Sequence, residues 1–157
     1  MPTASRSRTI AAPAQELWEL LCDPHHLPRW WPRVTRVEDV EDDAFTEVMR
    51  TRKGKLVRAD FSVHRDDAQH RLTWVQRIEG TPFASVLKSA ETELQLTPAA
   101  AASETEVTIE LRQEMAVGSA RYSPFLSLAP RFGGPLVRRA AAATLERALD
   151  ALEQISG

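Results

Sequence analysis

Four polar residues fall on strand faces that are otherwise apolar, and their types suit chemistry on a bound molecule. They are Glu47, Gln76, Lys88 and Gln113. With Phe61 and Leu111 setting the inward faces, hairpin turns place Glu47, Phe61, Trp74, Lys88 and Gln113 in one cross-sheet row. An unpaired charge in a dry interior is prohibitive, and an unbonded amide costs about 1–3 kcal/mol. A solid core rejects such a row, whereas a mostly apolar cavity with a few placed polar groups accepts it. Lys88 could then polarise a ligand carbonyl. Glu47 could act as general base once desolvation raises its pKa. The expected wall is Trp74, Gln76, Lys88, Gln113, Phe61, Met49 and Met115, with Trp31 at the mouth and Tyr122 as a gate or hydrogen-bond partner. A one-residue slip or a β-bulge would turn Glu47 or Lys88 outward instead.

Other chemistries find little support. His25 and His26 are adjacent, so on a helix they point about 100° apart and chelate poorly. His64 lies on a polar strand face and His70 at a turn, and no Cys/His cluster or His-x-x-x-His spacing occurs. No metal site and no cofactor are expected. Cys22 ends a helix beside Asp23, where a thiolate is disfavoured. No Gly-x-Ser-x-Gly elbow, Gly-x-Gly-x-x-Gly loop or Walker loop is present, which excludes nucleotide binding through those motifs.

The elements that must position these residues follow from periodicity and turn chemistry. A first strand at 4–10 leads into a proline-started helix bearing Leu17, Trp18, Leu20 and Leu21, and Asp23-Pro24 opens a second short helix. Strands are expected at 34–41, 44–52, 56–64, 71–79, 84–97 and 105–117, with turns at Asp42-Asp43, Lys53-Gly54, Asp66-Asp67 and Gly80-Thr81-Pro82. Residues 124–132 are apolar and read as a lid or an oligomer contact, which leaves a homodimer open. From Pro135 to 155 an apolar stripe of Leu136, Ala140, Leu145, Ala148, Leu149, Leu152 and Ile155 marks a long helix.

The chain has 157 residues, a net charge of −2 and one cysteine. That suits one domain over 1–157, gives no global attraction to nucleic acid and rules out an internal disulfide. No apolar run approaches the roughly 18 residues needed to span a bilayer, and no signal-peptide stretch begins the chain, so a cytoplasmic location is expected. Basic residues gather at Arg50, Arg52, Lys53, Lys55 and Arg58, just after the acidic run of Glu38, Asp39, Glu41, Asp42 and Asp43. Both read as solvated faces of one hairpin region.

Ala12-Pro13, Trp18, Asp23 and Trp31-Pro32, followed by a run of strands and one long terminal helix, resemble the START / Bet v1-like (SRPBCC) superfamily, in particular its polyketide cyclase/dehydrase-like members. The resemblance spans nearly the whole chain. It implies an α+β helix-grip fold: seven antiparallel strands curved around the C-terminal helix, with two short helices after strand one. It also implies binding of a hydrophobic small molecule, a lipid or an aromatic, polyketide-like compound. A cyclase or dehydratase using acid–base groups in that cavity is the alternative, with Lys88 stabilising an enolate. A protein-interaction module is the third reading. Iron oxygenase domains share the superfamily, but their two-His-one-carboxylate set is not recognisable here.

Overall fold

A computed structural model describes residues 3–116 and 134–156. The elements run β1 (Ala4–Ile10), α1 (Ala14–Cys22), a 3-10 turn (Pro24–His26), α2 (Leu27–Trp30), β2 (Val34–Glu38), β3 (Ala44–Arg50), β4 (Leu56–Asp66), β5 (Arg71–Gln76), a second 3-10 turn (Pro82–Ser85), β6 (Leu87–Pro98), β7 (Thr105–Met115) and α3 (Gly134–Ser156). The seven strands form one antiparallel sheet in the order β1-β7-β6-β5-β4-β3-β2. The helix-grip architecture read from the sequence is the one observed.

Local chemistry explains the punctuation. Asp23 accepts a hydrogen bond from the His25 backbone N–H at 3.0 Å and caps the turn begun by Pro24. Thr81 does the same for the second 3-10 turn, accepting from Phe83 N–H at 3.2 Å. Gly54, at φ 82°, closes the β3–β4 turn in a conformation that a side chain would strain.

Long α3 lies on the concave face of the sheet. Ala141, Leu145, Ala148, Leu149 and Leu152 recur at three- and four-residue spacing and are buried against Ile10, Leu17, Phe45, Leu94 and Ile109. Each such leucine, fully removed from water, contributes roughly 1.5–3 kcal/mol. At the rim, Arg8 of β1 pairs with Glu146 and Asp150 of α3. The Trp18 of α1 donates to Asp67 at 2.9 Å, and the Arg65 guanidinium lies 5.7 Å from the Trp18 ring, which fastens α1 to the β4–β5 turn. The Arg65 and Trp18 hydrogen bonds hold the Asp67 carboxyl below its ordinary range. No helix among the described residues is long and apolar enough to cross a membrane.

The register departs from the sequence expectation in an instructive way. Phe61 faces Gln76 rather than Trp74, and Glu47 faces Ala59 rather than Phe61. Both differences are two residues, so every side chain keeps its face. Between β5 and β6 the difference is larger: Trp74 faces Thr92 rather than Lys88. Here β5 ends at Gln76, and residues 77–86 form a connection containing the second 3-10 turn instead of a tight hairpin.

Candidate functional site

The concave face of the sheet carries most of the expected wall. Trp74 is buried at its centre, with ring centroids 5.8 Å from Phe45, 6.0 Å from Trp30 and 5.4 Å from Trp31. Phe61, half-buried, stacks on Phe45 at 5.2 Å. Edge-to-face and offset pairs of this kind are favoured by the ring quadrupoles. Met49, half-buried, touches both this aromatic cluster and a second apolar cluster of Ala59, Ile78, Phe83, Val86, Leu87 and Ala90. Met115 packs on the second cluster only.

Within that apolar frame stand two polar groups without partners. Glu47 is 2% exposed, and its side chain has no hydrogen bond or ion pair among the described residues. Burial alone pushes its carboxyl up to about 8, so at neutral pH it is mostly the uncharged acid, a hydrogen-bond donor rather than a base. The Gln76 side-chain Nε2 is enclosed and unpaired. Small residues adjoin both polar strands: Ala59 opposite Glu47, and Ala90 on β6 opposite Gln113. Gln113 is half-buried, and its backbone N–H donates to the Thr3 hydroxyl at 2.8 Å. The Trp30 indole Nε1 is a third buried donor without a partner.

Lys88 does not join this group. Its side chain is 71% exposed and pairs with Glu114 at 3.2 Å. The cause is a register irregularity between Leu87 and Ser89, which breaks the alternation and turns Lys88 outward while Leu87 and Ala90 stay buried. Lys88→Met is therefore expected to leave thermal stability and ligand affinity unchanged. A several-fold loss of affinity in titration would contradict this placement. Trp31 is half-buried against Trp30 and Trp74, beside α2. Tyr122 and the apolar segment 124–132, the candidate lid or dimer contact, lie outside the described residues. Cys22 is half-buried, and burial pushes its thiol up to about 11, which leaves it unreactive at neutral pH.

The sheet is open on one side. Because β5 pairs with β4 only over Phe61–Asp66, residues Leu56–Asp60 of β4 have β3 on one flank and the 77–86 connection on the other. A hollow of about 610 Å³ lies at this fork, lined by Val48, Leu56, Val57, Phe83 and Arg58 among others. Val48, Leu56 and Arg58 line it from the face opposite Glu47, while Val57 and Phe83 also belong to the second apolar cluster.

A family profile described as polyketide cyclase / dehydrase and lipid transport matches residues 1–157. The chain belongs to this family. Solved structures similar to this polyketide cyclase/dehydrase family member include a START superfamily protein from Mycobacterium smegmatis, 16% identical, with 97% of this chain and 94% of that one covered and a TM-score of 0.74. The ZhuI aromatase/cyclase from Streptomyces sp. R1128 is 19% identical, with 96% and 87% covered and a TM-score of 0.69. The di-domain ARO/CYC BexL from the BE-7585A biosynthetic pathway is 20% identical, with 96% of this chain but 44% of that one covered and a TM-score of 0.71. At these identities the likeness is one of fold. No curated protein matches the sequence significantly.

One contributor to the family member's concave face escaped the sequence reading. Phe45, which joins Phe61 to Trp74, shares strand parity with Glu47 and Met49, so alternation alone could have found it. Ala59, on the inward face set by Phe61, stands opposite Glu47.

Proposed function

We propose that this protein binds a hydrophobic small molecule, aromatic or lipid-like and bearing a carbonyl or similar oxygen, against the concave face between the sheet and α3. Glu47 carries this reading. A carboxyl so buried and unpartnered is costly in a finished core, and an acid held neutral donates a hydrogen bond to an oxygen of an otherwise apolar guest. The unpaired Gln76 Nε2 supplies a second donor on the same face, and Trp74, Phe61 and Met49 supply the apolar walls. The fork beside Val57 and Phe83 is the proposed way in.

Titration with 2-naphthaldehyde and with naphthalene tests the proposal. Tryptophan fluorescence should change on binding, since three of the four indoles lie in one cluster. Wild type should prefer the carbonyl compound by about tenfold, the worth of one well-made hydrogen bond, and Glu47→Ala should erase the preference. Equal affinity of wild type for the two compounds, or no fluorescence response to either, defeats the reading.

Cyclase or dehydratase chemistry is the second reading, favoured by the same protonated acid. A neutral Glu47 can give its proton to a departing hydroxyl or an activated carbonyl oxygen. On that reading Glu47→Gln lowers turnover more than affinity, because the amide still donates a hydrogen bond but cannot transfer the proton.

A further inference from the structure

A second hollow, of about 480 Å³, opens where β2 begins and β3 ends, and three arginines line it: Arg33, Arg50 and Arg52. Val34, Thr35 and Thr51 complete the wall. None of the three arginines has a carboxylate partner among the described residues, whereas Arg8, Arg36, Arg58, Arg65 and Arg112 each reach one. The acidic side chain nearest in sequence on β2, Glu38, is already engaged by Arg36 and Arg58. Lys53 and Lys55 of the adjoining turn add charge of the same sign. The sequence reading took this basic run for a solvated hairpin face; the fold instead brings it to Arg33, in the turn between α2 and β2.

The backbone holds this cluster together. Arg33 sits at φ 69°, a left-handed conformation disfavoured for any residue with a Cβ. In that conformation its carbonyl accepts the Arg50 N–H at 3.0 Å. The Arg50 guanidinium donates to the Gly54 carbonyl at 3.1 Å and keeps its other donors free. Strain of this kind clusters at functional sites. The hollow also touches the interior, because Val34 belongs to the main core and pairs with Met49.

We propose that this groove is a phosphate site, and that the phosphate is carried by the hydrophobic ligand; the second clause rests on the function proposed above. Several planar guanidinium forks around one exposed hollow match the many oxygens and double charge of a phosphate ester, where a carboxylate would occupy a single fork.

Three probes separate the possibilities: 1-naphthol, 1-naphthyl phosphate and inorganic phosphate. Wild type should bind the ester at least about tenfold tighter than the alcohol, with a preference that falls as salt rises. Inorganic phosphate should shift the Nε–H resonances of Arg33, Arg50 and Arg52. Arg33→Gly removes one guanidinium and relieves the left-handed strain, so it should keep or raise the melting temperature while losing most of the preference. Arg52→Gln should lose it too, and Arg71→Gln, at the far end of β5, should not. Equal affinity for ester and alcohol, or a preference that survives Arg33→Gly and Arg52→Gln together, overturns the phosphate site. If neither naphthyl compound binds yet inorganic phosphate shifts the three arginines, the groove stands and the hydrophobic-ligand reading falls.

Discussion

Between pH 4.5 and about 8 the protein is expected to lose up to about 5 kcal/mol of folding stability through one residue, and Glu47→Gln should abolish that loss. In the unfolded chain Glu47 releases its proton near 4.5, while in the folded protein burial holds it to about 8. Across that window the native state binds more protons than the unfolded state, so stability falls as pH rises. Below 4.5 both states are protonated and the contribution is fully present. Above 8 both are ionised and the native state carries a buried, unpaired charge. Each pH decade is worth about 1.4 kcal/mol. Urea denaturation at pH 5 and pH 8.5 checks this. Wild type and variant should be nearly matched at pH 5, and the variant should be clearly the more stable at pH 8.5. Parallel pH profiles would mean that Glu47 is hydrated and ordinary, and the donor role proposed for it would go too. A ligand bonded to the neutral acid should likewise be released as pH rises past 8.

That a single glutamate could be singled out reflects which features survive errors of register. The turns at Lys53-Gly54 and Asp66-Asp67 were each placed about one residue from their observed centres. Such an error shifts pairing by two and preserves the face, so Glu47, Phe61, Trp74 and Gln76 stay inward. Lys88 failed for a different reason. The irregularity at Leu87–Ser89 moves a side chain to the opposite face, and nothing in the alternation of β6 announces it. Val107, Ile109 and the Leu145, Ala148, Leu149 and Leu152 part of the α3 stripe were legible because long periodic segments average over local exceptions, whereas Ala140 of that stripe is exposed and Ala141 is buried in its place. The Arg33 groove was invisible from sequence spacing, since its members are brought together by β2–β3 pairing and a left-handed turn. In sequence, the acidic and basic runs read alike as solvated faces of one hairpin region. In the fold the acidic turn and the arginines stand at opposite ends of the hairpin.

Trp74→Ala tests whether the aromatic cluster is close packing that stabilises the fold or only the wall of an empty space. Trp74 is 3% exposed and meets three aromatic rings within 6.0 Å. Removing a buried tryptophan leaves a cavity, and the surroundings collapse only in part. The expected cost is about 3–5 kcal/mol, on the order of a 10 °C fall in melting temperature for a chain of this length. A dry cavity lined by Phe45, Trp30 and Trp31 should accept a ring of the lost size, as apolar cavities do. Indole at millimolar concentration should therefore raise the melting temperature of the variant by several degrees more than that of wild type. Trp74→Phe, which retains a ring at the centre of the cluster, should cost well under half as much as alanine. If the alanine variant melts within about 2 °C of wild type, Trp74 forfeits little on truncation because one side of its ring already faces open space. The interior would then be larger than the ring contacts suggest, and Glu47 would be reached by water rather than sheltered by packing.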